Sequence, residues 1–187
     1  ENLNDSQKLI IDVGLELSAK NILVVNRHND YDKALNQFYK MCEYADNNIR
    51  ICLEFGEFTT VKSLSKAIDF VNTINHPVAG ILIDLMHINR SMEDIPDLNN
   101  PIFSYIQGCD FYQSSKKLTG DNYIMAAIDG RCCLGHGEAI KEEIVKMCKS
   151  NLDVSLEIRS KDLRDKFPDP YKRASYIFKN CIREDYL

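Results

Sequence analysis

Four oxygen-bearing side chains sit within or at the end of short apolar runs: Glu54 in ICLEF, Asp84 in ILIDLMH, Gln107 in YIQGCD and Glu157 in VSLEI. An ionised carboxylate in such a run is costly unless it is paired, hydrogen-bonded or bound to a metal. Taken singly, each acid reads as the partner of a neighbouring Arg or Lys. Four on successive runs make a constellation. Three carboxylates and an amide oxygen form a hard, oxygen-only donor set for one divalent ion. Mn²⁺ or Mg²⁺ is the expected metal, with Co²⁺ or Zn²⁺ as further candidates, although zinc sites usually include His or Cys. Such a set supports proton removal beside a carbonyl: the metal acts as a Lewis acid on the enediolate and a carboxylate as general base. Glu54 and Glu157 are the candidate bases, expected to flank a substrate from opposite faces. Metal-bound carboxylates are weaker bases, so one of them must be loosely held. His87 is a candidate for binding a substrate hydroxyl or moving a proton, the alternative being a hydrogen bond to Asp110 or another acid. Arg90 and Arg131 offer guanidinium forks for a substrate phosphate or carboxylate, the alternative being simple solvation.

The elements that must position these groups alternate in type. Residues 6–20 read as an amphipathic helix, with Leu9, Ile10, Val13 and Leu17 at helical spacing. NILVVN (21–26) is a strand and 31–48 a helix carrying Leu35, Phe38, Tyr39 and Cys42 on one face. IRICLEF (49–55) is a strand, 61–75 a helix closed by His76-Pro77, and AGILIDLMHI (79–88) a strand. IFSYIQGCDF (102–111) reads as the fourth strand, 140–149 as a helix, and LDVSLEIR (152–159) as the fifth strand. Residues 112–137 show no periodicity and read as a long loop, and such loops are usually functional. The tail from Asp162, interrupted by Pro168 and Pro170, ends in a helix. Strict alternation with apolar strands predicts a parallel sheet covered by helices. No Gly-x-Gly-x-x-Gly follows any strand, which weakens a dinucleotide site. Ligand residues at four strand ends favour a barrel, where such ends meet at one mouth. His28, after the first strand, reads as a satisfied polar residue near that mouth, His76 as a helix-end residue, Phe38 and Phe70 as core, and Lys116-Lys117 as a solvated loop.

Composition narrows the function. The chain has 187 residues, 44% hydrophobic and 27% charged, which is ordinary for a globular domain. A net charge of −5 argues against a nucleic-acid partner. No apolar run approaches the roughly 20 residues of a membrane span, and the first thirty residues lack a signal-peptide pattern. The seven cysteines are scattered without a Cys-x-x-Cys pair and read as reduced thiols of a cytoplasmic protein. The chain opens on Glu1 just before a helix, so upstream sequence is expected.

From about residue 9 onward the chain resembles the sugar phosphate isomerase/epimerase family of xylose-isomerase-like TIM barrels. The resemblance rests on LEF (53–55), Asp84-x-x-His87-x-x-Arg90, Gln107-x-x-Asp110, Arg131 followed by Gly135-x-Gly137-Glu138, and SLEI (155–158). It implies an α/β (β/α)₈ barrel of which this chain, as a single domain over 1–187, carries only the C-terminal five βα units. A full barrel of this kind has about 250 residues. It also implies metal ligation by Glu54, Asp84, Gln107 and Glu157. Many members have His where Gln107 stands, and the Gln form resembles the 3-dehydroshikimate dehydratase subset. His136 stands where the family loop usually carries an acid. The expected activity is metal-dependent isomerisation or epimerisation of a sugar, sugar phosphate or hydroxy acid. A dehydratase of the 3-dehydroshikimate type is the first alternative, and an inactive barrel fragment or binding module the second. A DNA-repair endonuclease on the same barrel would need many histidines, and the chain has four. No membrane partner is expected; a homo-oligomer is compatible with the chain.

Overall fold

Short β-branched runs alternate with longer amphipathic stretches, and the computed structural model turns them into alternating strands and helices. It describes residues 2–112, 118 and 120–181. Lys116 and Lys117 lie outside the described residues, as does the end of the tail. The described residues form two compact units, one running to Ile83 with Asn100–Tyr105 added, the other comprising Asp84–Asn99 and the residues from Ile106 onward. Strand order in the five-stranded parallel sheet is β1-β2-β3-β4-β7, with the strands defined below.

The first unit begins with α1 (Asp5–Glu16), started by a capping box in which Asn4 and Gln7 satisfy each other's backbone amides. β1 (Asn21–Val25), α2 (Tyr31–Ala45), β2 (Arg50–Glu54), α3 (Leu64–Ile74) and β3 (Ala79–Asp84) follow. β1 pairs with β2 from Asn21↔Arg50 to Val25↔Glu54, and β2 pairs with β3 from Ile51↔Ala79 to Glu54↔Leu82. Asp30 and Ser63 cap α2 and α3, while Asp46 and Asn75 end them in the left-handed conformation that short polar residues tolerate. Within a mostly aliphatic core, buried Phe70 meets buried Phe38 and the more exposed Tyr31 edge-to-face, with centroids 5.5 and 5.6 Å apart.

α1 departs from its expected orientation. Leu9, Ile10, Val13 and Leu17 are exposed, while Ile11 and Gly14 face the core. Gly14 explains the choice, because a Cβ there would lie 2.6 Å from Ile22 Cδ1 and 2.9 Å from Ile49 Cδ1. Helical spacing marks a face but does not say which face packs.

The second unit holds α4 (Leu85–Ser91), the end of β4 (Phe103–Gly108), β5 (Asp110–Phe111), α5 (Gly120–Asp129), β6 (Arg131–Cys132), α6 (Lys141–Cys148), β7 (Val154–Leu156), α7 (Lys161–Lys166) and α8 (Pro170–Cys181). β4 and β7 pair from Ile106↔Val154 to Gly108↔Leu156, and β5 and β6 pair antiparallel. Three expectations are corrected here. The strand expected over 79–88 stops at Asp84, whose carboxylate accepts the His87 amide and starts α4. The strand expected over 102–111 is two strands separated at Cys109. The long loop expected over 112–137 contains α5 and β6. Among the described residues no helix is long and apolar enough to cross a membrane.

Phe70→Ala should lower unfolding free energy by about 3–5 kcal/mol, since it removes a fully buried ring and leaves a cavity. Urea unfolding of the two proteins checks this; a loss under about 1 kcal/mol would mean that the aromatic cluster can collapse around the gap.

Candidate functional site

Asp84 ends an apolar strand and is only 1% exposed. Its two oxygens have different duties. Oδ1 accepts the His87 amide at 3.1 Å and so caps α4, while Oδ2 accepts Arg131 Nη1 at 2.7 Å. Arg131 reaches it because β6 pairs with β5, setting Phe111 opposite Arg131. The other guanidinium nitrogen, Nη2, lies 3.2 Å from Glu157 Oε2. Nε donates to the Ala127 carbonyl at 3.0 Å and Nη1 also meets Cys109 Sγ at 3.0 Å. Burial disfavours the charges of both Asp84 and Arg131, yet their attraction outweighs it: Asp84 is held below the ordinary carboxylate value and Arg131 above the ordinary arginine value. Burial pushes the Cys109 thiol up, so it remains neutral.

Three of the four expected metal ligands belong to this unit. Asp84 and Glu157 are brought together on Arg131. Glu157 directly follows β7, its amide donating to the Gly108 carbonyl at 3.1 Å, and its side chain is 25% exposed. Gln107 is buried on β4, and its Oε1 has no hydrogen-bond partner among the described residues. An acceptor left unpaired in the interior costs about 1–3 kcal/mol, a cost that a cation or a substrate hydroxyl would remove. This oxygen donor set fits a hard divalent ion. Glu54, the fourth, is the buried last residue of β2 in the first unit.

His87 is fully buried, and its ring lies within 4.8 Å of an Asp84 oxygen. The alternative partner considered for it, Asp110, is occupied otherwise. Both Asp110 oxygens accept backbone amides: Oδ1 from Phe111 at 2.7 Å and Ala139 at 2.9 Å, Oδ2 from Gly135 at 3.0 Å and Gly137 at 2.9 Å. Gly137 cannot carry a side chain, because its Cβ would lie 2.3 Å from Asp110 Oδ1 and 2.5 Å from the Phe111 carbonyl. Gly135 has φ +75°. His136 between them is exposed. Arg90 stacks on Tyr123 with its guanidinium carbon 4.8 Å from the ring centre; its Nη1 is buried without an acceptor among the described residues. Burial holds the Arg90 pKa below the usual arginine value.

His28 is exposed, and its Nδ1 accepts the Asp30 amide at 3.1 Å, the satisfied polar role expected of it. His76 packs against Tyr39 and accepts the Val78 amide. Two participants escaped sequence reading. Cys109 was one thiol among seven, and Tyr123 lay in a stretch read as loop. The only available signal for the Asp110 cradle was the Gly135-x-Gly137 pair.

The family model described as xylose isomerase-like TIM barrel matches residues 5–175. Among solved structures, the IOLI protein with a binding zinc atom has TM-score 0.67 at 15% identity, covering 96% of this chain and 73% of that one. The probable 3-DHS dehydratase AsbF from Bacillus anthracis has TM-score 0.67 at 18% identity, covering 86% and 65%. D-psicose 3-epimerase with D-tagatose from Clostridium cellulolyticum H10 has TM-score 0.62 at 11% identity, covering 95% and 70%. No curated protein matches the sequence.

Asp110→Ala should destabilise the protein by at least ~2 kcal/mol, since four amides lose their acceptor. Hydrogen exchange should show Gly135, Gly137 and Ala139 losing protection; unchanged protection would refute the cradle. The lowered Asp84 pKa also sets a pH dependence. Its ion pair contributes fully above the unfolded value of about 3.9, and is lost as pH falls through the lower folded value. In chelator, wild type should therefore lose stability more steeply below about pH 4 than Asp84→Asn does. Equal slopes in denaturant titrations would contradict this.

Proposed function

This chain belongs to the xylose isomerase-like TIM-barrel family, and from that premise we propose that it is a divalent-metal-dependent isomerase or epimerase of a sugar or sugar phosphate. The observation that carries the reading is Gln107 Oε1, a buried oxygen with no donor among the described residues, in the same unit as Asp84 and Glu157. Glu54 is proposed as the fourth ligand, because strand ends of a parallel barrel converge on one mouth. A bound Mn²⁺ or Mg²⁺, with Co²⁺ or Zn²⁺ as substitutes, would polarise a substrate carbonyl and acidify the adjacent C–H.

The chain's own residues do the rest. Asp84 is held rigid by the His87 amide and Arg131, so it serves as an anchor and not as the base. Glu157, with its side chain 25% exposed, is the carboxylate reachable from outside and takes the carbon-bound proton. For epimerisation Glu54, entering in its protonated form, donates its own proton to the opposite face while Glu157 keeps the one it removed; for isomerisation Glu157 hands the removed proton to the neighbouring carbon. His87 orients a substrate hydroxyl or relays its proton. Arg90, whose Nη1 has no acceptor among the described residues, receives a phosphate or carboxylate. Arg131, expected beside Arg90 in that role, is assigned instead to the carboxylates it already bridges.

Gln107 favours a second reading. It is the ligand form that resembles the 3-dehydroshikimate dehydratase subset, where the same deprotonation expels a β-hydroxyl. A small hydroxy acid would then be the substrate. The seven cysteines are all free thiols, which suits the proposed cytoplasmic setting.

Glu157→Gln should reduce kcat by about 10²–10⁴ while leaving the fold intact. A sugar and sugar-phosphate panel assayed with Mn²⁺ and Mg²⁺ reads this, and 3-dehydroshikimate run alongside shows dehydration by its new aromatic absorbance. Full activity after exhaustive metal removal would sink both readings.

A further inference from the structure

We propose that Arg131 is a built-in counter-ion of the metal site, holding Asp84 and Glu157 together in the metal-free protein and weakening the site's grip on a divalent cation. The inference rests on the proposed metal reading of that site and adds a device that sets its affinity. Arg131 Nη1 lies 2.7 Å from Asp84 Oδ2 and Nη2 lies 3.2 Å from Glu157 Oε2, so one fork spans two proposed ligands. The side chain is 2% exposed, and Nε is spent on the Ala127 carbonyl. No face of the guanidinium is left for solvent, and every nitrogen has a partner inside the unit.

The consequence is electrostatic. Two carboxylates alone would offer a dication two negative charges; with the guanidinium between them they offer one. The guanidinium cannot relieve this by losing its proton. A dication held by these carboxylates would be repelled by the neighbouring guanidinium, and even with the screening of bulk water that repulsion weakens binding by at least a factor of ~10. The bridge also removes the need for metal to keep the carboxylates together. Without Arg131, buried Asp84 would lack its counter-charge, so the protein would depend on metal for stability. The ion is thereby made exchangeable, and the site keeps its shape when the ion leaves.

Titration calorimetry with Mn²⁺ on chelator-treated wild type, Arg131→Gln and Arg131→Lys tests the idea. Arg131→Gln should bind Mn²⁺ about tenfold or more tighter than wild type. Its metal-free form should melt lower and gain more in Tm on adding Mn²⁺. Arg131→Lys, which keeps the charge, should bind like wild type. Equal or weaker binding by Arg131→Gln, or a Lys variant as tight as the Gln one, overturns the counter-ion role. If Arg131→Gln unfolds on chelation, refolding with and without Mn²⁺ decides: recovery only with the ion supports the proposal, and no recovery overturns it. Failure of all three to bind Mn²⁺, Mg²⁺, Co²⁺ or Zn²⁺ refutes the metal reading itself, whereas binding with equal Kd refutes only the role of Arg131.

Discussion

A carboxylate buried to 1% exposure at the end of an apolar strand must be satisfied or it would not stay ionised, and Asp84 is satisfied twice. The helix that begins one residue later supplies an amide, and a guanidinium supplies a charge. The first interaction turns the chain out of the sheet and sets His87 on the first turn of α4. The second requires that β6 return beside β5, so that an arginine arrives from 47 residues downstream. Local geometry and long-range order in the second unit thus meet at one side chain. An Ala at position 84 would remove the cap, strand the guanidinium and free the strand to run on.

Asp110 solves a related problem with main-chain amides, its partners among the described residues. Its oxygens gather amides from both sides of a turn, fixing the segment from Gly135 to Ala139 by hydrogen bonds to main chain alone. Charged acceptors make stronger hydrogen bonds than neutral ones, so one acid orders a loop that has little apolar surface to bury. The demand falls on the glycines. Gly137 must lack a Cβ because acid and carbonyl occupy its place, and Gly135 must take positive φ. The Gly-x-Gly spacing is therefore a packing requirement of Asp110, and the identity of residue 136 matters little to it.

Strands and helices were legible wherever periodicity had length. Residues 31–45 and 50–54 are legible almost to their ends, because an apolar stripe along a 15-residue helix and a short apolar run, Ile51–Leu53, between turn residues are unambiguous. The 79–88 run misled, since Leu85, Met86 and Ile88 are apolar in a helix as well as in a strand, and only the Asp84 cap tells them apart. α1 misled about its face, because Gly14 carries no hydrophobic signal yet permits the closest approach. In the candidate site, the acids were visible as charges out of place. Their partner was not: Arg131 follows a stretch without apolar period, and nothing in its neighbours predicts that it lies between Asp84 and Glu157.

Gln107 bears on how such a site would respond to its surroundings. An imidazole must shed its proton before it can ligate, so a histidine at this strand end would tie metal binding to pH near neutrality. An amide oxygen has no proton to lose and no charge to add. If Arg131 cancels one carboxylate as proposed, the proposed donor set would combine a neutral oxygen with a partly neutralised pair of acids. In the proposed site both choices would soften the hold on a cation and leave the donors ready over a wide pH range. Similarity to barrels at 11–18% identity establishes the fold that places these groups. The chemistry has to be argued from the groups themselves, and in the proposed site they would favour an ion that is held loosely.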